Sequence, residues 1–311
     1  MGQVLDAIHA FFDGIAAVEF TALGIAVVVH LLKTMCTSRA WRNSIDAAYR
    51  DQDVPWRPIY AAYLSGVGVN ALVPARAGDA VRLYLAHRAV PGATYTTLAS
   101  TLLVLSIFDS TMALAIFAYA LTLGVLPGLG SLDALRGFDF GFFLSNPELS
   151  LVLLIVLVIV GIVGVAWLRL HVAEFKLHVR QGLAVLEDKT EYLRRVALWQ
   201  AADWTLRFVA IWFFLDAFGI PQTLKNVLLV QVTQSLATLV PISPGGIGTE
   251  QAFIVFVFEG AVSTGRLLSF SVGMKLTLIA TNIVLGFTAL FLTLGHTDWR
   301  SIARKRAAAE P

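Results

Sequence analysis

Two short stretches of this chain carry side chains suited to binding a charged group. "NALVPARAGDAVR" runs from Asn70 to Arg82 and sets Arg76, Gly78, Asp79 and Arg82 just beyond Pro74. An arginine fork matches two phosphate or carboxylate oxygens at once. "PISPGGIGTE" runs from Pro241 to Glu250 and sets Ser243, Gly245, Gly246 and Gly248 between two prolines, Pro241 and Pro244, and an acid. Glycines let the backbone come close to a ligand. A helix starting there would aim unpaired N–H groups and a positive dipole end at an anion. Glu250 would fall in that helix's first turn, where it stabilises the terminus or meets a ligand. Covalent or metal chemistry has no comparable support. The chain has one cysteine, Cys36, no Cys/His cluster with ligand spacing, and no ATP-binding glycine loop, so no metal or cofactor is expected.

Further charges stand in apolar surroundings: Glu19, Asp109, Asp203, Arg207 and Lys275. Charge inside a bilayer is costly and is normally paired or turned toward water. Asp203 and Arg207 are spaced i,i+4 and can pair on one helix face. Asp109 has no local partner, so it must reach Arg207, Lys275 or another donor across a bundle, or hold a proton. Proton coupling through Asp109 or Glu19 is one use of such a site. Asn70, Gln231, Gln234 and Asn282 are expected to hydrogen-bond between helices.

The elements that position these residues follow from composition. Of the 311 residues, 57% are hydrophobic and 14% are charged, against about 25% charged in a soluble domain. "LSLVLLIVLVIVGIVGVAWL" (149–168) has no charge at all and is long enough for a hydrocarbon core of ~30 Å. The expectation is an all-α polytopic membrane protein with five full spans, near 15–33, 98–124, 149–169, 197–218 and 268–294. Two apolar regions, near 58–96 and 225–262, are broken at Pro74 and at "PISPGGIG". Proline removes an N–H and turns the residue before it away from helix.

Basic residues orient the chain. Lys33, Arg39, Arg42, Arg50 and Arg57 follow the first span, which is expected to end in a loop over 33–57. Arg169, Lys176, Arg180, Lys189, Arg194 and Arg195 precede the fourth, and Arg300, Arg304, Lys305 and Arg306 follow the last. Residues 1–14 have no Lys or Arg. The positive-inside rule then puts the N-terminus outside and the C-terminus in the cytoplasm of a bacterial inner membrane. The first broken region would leave and return on the cytoplasmic side, and the second on the outer side. Two re-entrant hairpins are the simplest solution; two fully crossing hairpins keep the same orientation.

The breaks match. Leu72-Val73-Pro74 and Leu239-Val240-Pro241 are each followed by a glycine-bearing turn and an acid, Asp79 or Glu250. A span, a broken hairpin and a span flank the lone 149–169 helix on both sides. The chain is thus a single membrane domain over 1–311, with one repeat at about 15–124, a linker span at about 149–169, a second repeat at about 197–294 and a basic tail over 295–311. The linker inverts the second repeat. Matched helix breaks in inverted repeats point to a transporter binding site.

"NALVPARAGDAVRLYL" with "PISPGGIGTEQAF" resembles the two signature segments of the flippase-like family named for the transmembrane region of lysylphosphatidylglycerol synthase. The resemblance covers roughly 15–295. It implies a membrane protein that moves, or helps to move, a lipid between leaflets. The family's first motif falls on Asn70, Pro74, Arg76, Gly78, Asp79 and Arg82, and its second on Pro241, Pro244, Gly245, Gly246, Gly248 and Glu250. The family's aspartate in the next span resembles Asp109, but Leu105 and Ser106 stand where a Glu-Arg pair is usual. Lys275 stands where arginine is usual. These departures suggest a branch with different chemistry, such as the one associated with hopanoid synthesis. The chain ends at Pro311, so no soluble aminoacyl-transferase domain is expected.

The combined reading is a non-enzymatic lipid translocase whose opposed breaks hold an anionic or polar headgroup. Its expected partners are membrane lipids and proteins of lipid biosynthesis, not nucleic acid; the oligomeric state is left open. One alternative is an accessory protein of a lipid-synthesis complex. A lower one is a polyprenyl-phosphate-dependent transferase using Asp79, Asp109 or Glu250 as acid or base.

Overall fold

The structure is a computed structural model that describes residues 17–73, 77–122, 172–239, 249–258 and 262–295. The described residues form helices and turns, with no strand among them. In chain order the helices are α1 (Phe20–Ala48), α2 (Trp56–Leu72), α3 (Ala77–Ala89), α4 (Tyr95–Thr122), α5 (Val172–Gly182), α6 (Lys189–Tyr192), α7 (Leu198–Ala217), α8 (Leu224–Leu239), α9 (Thr249–Val257) and α10 (Thr264–Gly295). A 3₁₀ turn (Ala184–Leu186) precedes α6, and a π-turn (Leu193–Ala197) joins α6 to α7.

Three described helices are long and apolar enough to cross a membrane: Phe20–Ala48, Tyr95–Ile116 and Thr264–Leu294. The expected span at 197–218 forms α7, but Asp203, Arg207 and Asp216 interrupt its apolar character. The expected span at 149–169 and the tail from 296 lie outside the described residues.

The first span differs from expectation. It does not end at Lys33; α1 continues to Ala48. Lys33, Arg39 and Arg42 are therefore helical, not part of a loop. Charge alone suggested an end there, yet no proline interrupts the chain between Phe20 and Val54. Thr34, Ser38, Trp41, Asn43, Ser44 and Ile45 on this extension are buried, so tertiary packing carries the helix on. Glu19, expected within the first span, stands at the N-terminal end of the helix. It caps α1, accepting from Thr21 N–H at 3.1 Å and Ala22 N–H at 2.6 Å. Those donors, the Ala22 N–H first, lower its carboxyl pKa below the usual value.

The first expected break ends a helix; the second, at 241–248, lies outside the described residues. α2 stops at Val73, which takes extended angles (φ −104, ψ 123), as a residue before proline should. The arms then fold back tightly. A Cβ on Gly66 would lie 2.7 Å from the Gly78 carbonyl oxygen, so only glycine allows α2 and α3 to approach this closely. Gly68 of α2 makes a similar approach to Gly286 of α10, where an added Cβ would sit 2.7 Å from the Gly286 Cα. Small residues permit such crossings where no hydrophobic effect drives helices together.

The helices pack in matched pairs. α1 lies along α7, α2 against α10 and α8 against α4; α3 touches α4 as α9 touches α10. One apolar core gathers Trp41, Ile45, Ile59, Leu98 and Val185. A second gathers Phe214, Ile220, Ile254, Phe270 and Met274.

Parts of the two basic stretches, 42–53 and 191–195, meet at one end of the bundle. Asp53 binds Arg42 at 2.8 Å, Arg42 binds Asp46 at 3.0 Å, and Asp46 binds Arg195. Arg195 binds Glu191 at 2.8 Å, and Glu191 binds Arg50 at 2.5 Å. Burial opposes the Arg195 charge, but the hydrogen bonds it donates to Asp46 and Glu191 outweigh that and raise the guanidinium pKa.

Candidate functional site

The first break is closed by Asn70. Its Oδ1 accepts the Gly78 N–H at 2.7 Å, and its Nδ2 donates to Asp79 Oδ1 at 3.0 Å. The end of α2 thereby satisfies one of the orphan N–H groups in the first turn of α3. Asp79 also pairs with Arg82 at 3.3 Å. The Arg82 guanidinium lies 5.8 Å over the Trp41 ring, a cation–π distance. Its Nε is buried without a partner. Asn70, Gly78, Asp79 and Arg82 thus form one cluster; Pro74 and Arg76 lie outside the described residues.

At the second break, Glu250 stands in the first turn of α9 with its side chain 4% exposed. It faces α10, and its Oε2 accepts from Lys275 Nζ at 2.8 Å. The other carboxylate oxygen is buried and has no partner among the described residues. Sequence spacing singled out both residues but did not pair them, because 25 residues separate them. Pro241, Ser243, Pro244, Gly245, Gly246 and Gly248 lie outside the described residues.

A third polar centre lies between α1 and α7. Asp203, with its side chain 5% exposed, accepts from Thr37 Oγ1 and pairs with Lys33 at 3.8 Å and Arg207 at 3.2 Å. The Asp203–Arg207 pair matches its i,i+4 expectation. The Arg207 guanidinium sits 4.5 Å over the Trp204 ring, and its Nε is buried without a partner. The Trp204 indole donates to Asp109 Oδ1 at 2.9 Å. Asp109 therefore finds a donor across the bundle, and of the expected choices (Arg207, Lys275 or another donor) it is another donor, the neutral Trp204 indole. On the same face of α1, one turn before Lys33, His30 Nε2 meets Asn282 Oδ1 of α10 at 2.9 Å. Asn282 thus bonds between helices as expected, whereas Gln231 bonds within α8, to Ser235.

Sequence reasoning missed Lys33, Thr37, His30 and Trp204. The available signal was the lack of proline from Phe20 to Val54. A helix continued through that stretch puts His30, Lys33 and Thr37 on one face at i, i+3 and i+7.

Opposite charges dominate these three centres. Lys33 and Arg207 sit on Asp203, Arg82 on Asp79, and Lys275 on Glu250. Removing paired charges from water is costly, and their attraction offsets that cost only with good geometry. Among the described residues, the atoms of these pairs that lack a hydrogen-bond partner are Arg82 Nε, Arg207 Nε and Glu250 Oε1. They leave capacity for a further anionic or cationic group.

Three helices apolar and long enough to cross a membrane, with ion-paired side chains packed between helices, define the class: a helical membrane protein. The chain matches the family described as "Lysylphosphatidylglycerol synthase TM region" over residues 5–286, and it belongs to that family. It is accordingly a membrane protein related to lipid metabolism. No curated protein and no solved structure matches it.

Proposed function

We propose that this chain is a non-enzymatic lipid translocase whose interior charge clusters receive a polar headgroup while the acyl chains stay in the bilayer. One observation carries this reading. Four ion pairs lie on α1, α3, α7, α9 and α10, helices that precede, form or follow the two broken regions, in an environment where charge is rarely kept without use. Family membership supports a lipid as the cargo.

Arm lengths favour re-entrant hairpins. At 1.5 Å per residue, α2 and α3 reach about 25 Å and about 20 Å, while α8 and α9 reach about 24 Å and about 14 Å. The described part of each arm falls short of a core of ~30 Å. The matched contacts, α2 on α10 with α8 on α4, support an inverted repeat of about 15–124 and 197–294. The meeting of the 33–57 and 169–195 stretches supports one common face for both, cytoplasmic by the positive-inside rule, in a bacterial inner membrane.

Arg76 and Arg82 are assigned to the headgroup's anionic part, and Glu250 to a cationic part or to a coupling proton. The glycine turn with Ser243, Gly245, Gly246 and Gly248 supplies backbone donors. The test is reconstitution in vesicles carrying a fluorescent lipid in both leaflets, with an impermeant quencher outside. Translocation raises the quenched fraction above one half. Arg82→Ala and Glu250→Gln should abolish that rise in folded protein. Wild-type activity unchanged in both variants would overturn the reading.

A further inference from the structure

We propose that a groove beside α5 is a binding site for one anionic glycerophospholipid at the cytoplasmic-side interface, separate from the interior clusters. This proposal does not depend on translocation.

Polar and close contacts hold the C-terminal end of α5. Gln181 Nε2 donates to the Ala48 carbonyl at 2.9 Å, where α1 ends. Thr97 Oγ1 donates to Gln181 Oε1 at 3.3 Å. Gly182 lies so close to α4 that an added Cβ would sit 2.5 Å from the Ser100 Cβ. The helix is thereby fixed at the end of the bundle where the chain of ion pairs from Asp53 to Arg50 lies.

Its outer surface mixes two chemistries. Leu177 is 66% exposed and Phe175 is also exposed, next to Lys176 and Arg180. A helix with apolar side chains bare beside lysine and arginine is the pattern of an interfacial segment drawn to anionic lipid. Beneath it runs a groove of about 540 Å³. Phe175, Val179, Leu183 and Leu186 make its apolar floor, and Lys176, Arg180 and Glu187 stand on its rim.

The rim decides the occupant. Lys176 and Arg180 are one turn apart, so both can reach one phosphate. Arg180 now binds Glu187 at 2.9 Å on an exposed edge, Arg180 being 79% and Glu187 59% exposed. Such a pair is weak and easily exchanged. The rim then holds two cations against one acid, a balance that suits an anion. The apolar floor suits an acyl chain. A soluble anion would leave the floor empty, and a zwitterionic lipid would gain less from the rim.

The experiment uses the full-length protein in mild detergent, exchanged against equal amounts of dioleoyl phosphatidylglycerol and dioleoyl phosphatidylcholine, with retained lipid counted by native mass spectrometry. Wild type should retain phosphatidylglycerol preferentially. Lys176→Gln with Arg180→Gln should reduce that preference by about 30-fold, from two basic contacts each worth roughly fivefold near an anionic surface. Glu187→Gln should increase it. Val179→Trp, which fills the floor, should remove retention of both lipids at that site. An unchanged thermal unfolding midpoint in each variant shows that it has folded. Three results would overturn the proposal: equal retention of the two lipids by wild type, a preference unaltered in the double variant, or a Val179→Cys thiol that stays shielded from maleimide after complete delipidation. The last would mean that the protein itself covers the groove.

Discussion

Lys33 of α1 and Asp203 of α7 stand 3.8 Å apart inside the bundle and tie α1 to α7. Asp203 also holds Arg207 and Thr37. The two residues are therefore not equivalent. Removing Lys33 leaves Asp203 with a cation, but removing the carboxylate leaves two cations facing each other. Breaking a buried pair from one side typically costs about 3–5 kcal/mol. Asp203→Asn should lower the thermal unfolding midpoint in detergent well below that of Lys33→Met. Equal midpoints for the two variants would remove Asp203 from the centre of this cluster.

Glu250 and Lys275 make a two-member test, because Glu250 has one partner in the pair and one open oxygen. Glu250→Gln strands the Lys275 ammonium, and Lys275→Met strands the carboxylate. Each should destabilise the fold and stop lipid movement. The double variant Glu250→Gln/Lys275→Met removes both charges. It should recover at least half of the lost stability, a coupling of order 1–3 kcal/mol, while remaining inactive in the vesicle assay. Recovery of transport in the double variant would reduce the pair to a structural tie.

Glu19 gives a pH dependence of defined sign. Its pKa is lowered by the Ala22 N–H and then the Thr21 contacts, which favour the ionised form in the folded chain. A depressed carboxyl pKa contributes stability above the unfolded value, which is lost as pH falls through the folded value. Glu19→Ala should melt below wild type at pH 7, with the gap closing as pH drops below the ordinary carboxylate range. Paired melting curves across pH 7 to pH 3 measure this, and a gap that widens on acidification would contradict it.

The sequence made the breaks legible because proline and glycine act locally. Pro74 forces Val73 out of helix whatever surrounds it, and α2 ends there. The spacing of Asp203 and Arg207 likewise needs only one helix to become a pair. Lys33 was misplaced because an isolated lysine after an apolar run reads as the end of a span. Its interior position depends on Asp203, 170 residues downstream, which no local pattern contains. The Glu250–Lys275 and Trp204–Asp109 partnerships are hidden for the same reason: they join helices that only the tertiary fold brings together.

The π-turn at Leu193–Ala197 shows how one side chain can fix a helix register. Asn43, buried on α1, donates its Nδ2 to the Arg195 carbonyl at 2.5 Å, and Arg195 is held by Asp46 and Glu191. A π-turn carries one more residue than an α-helical turn, and such turns gather at functional positions. If the turn relaxed to α, every residue of α7 beyond it would rotate by about 100° relative to α1. Asp203 would then leave Lys33 and Thr37. Asn43 thus stands between the charge chain at the end of the bundle and the interior cluster. Asn43→Ala leaves the Arg195 carbonyl without its donor, at a typical cost of about 1–3 kcal/mol. Asn43→Asp puts a like charge beside Asp46 and a carboxylate against a carbonyl, and should cost more. Amide hydrogen exchange should quicken first over 193–200 and then in α7, ahead of α10, in both variants. Exchange that rises evenly across all helices would show that Asn43 supports the fold generally and does not hold this register.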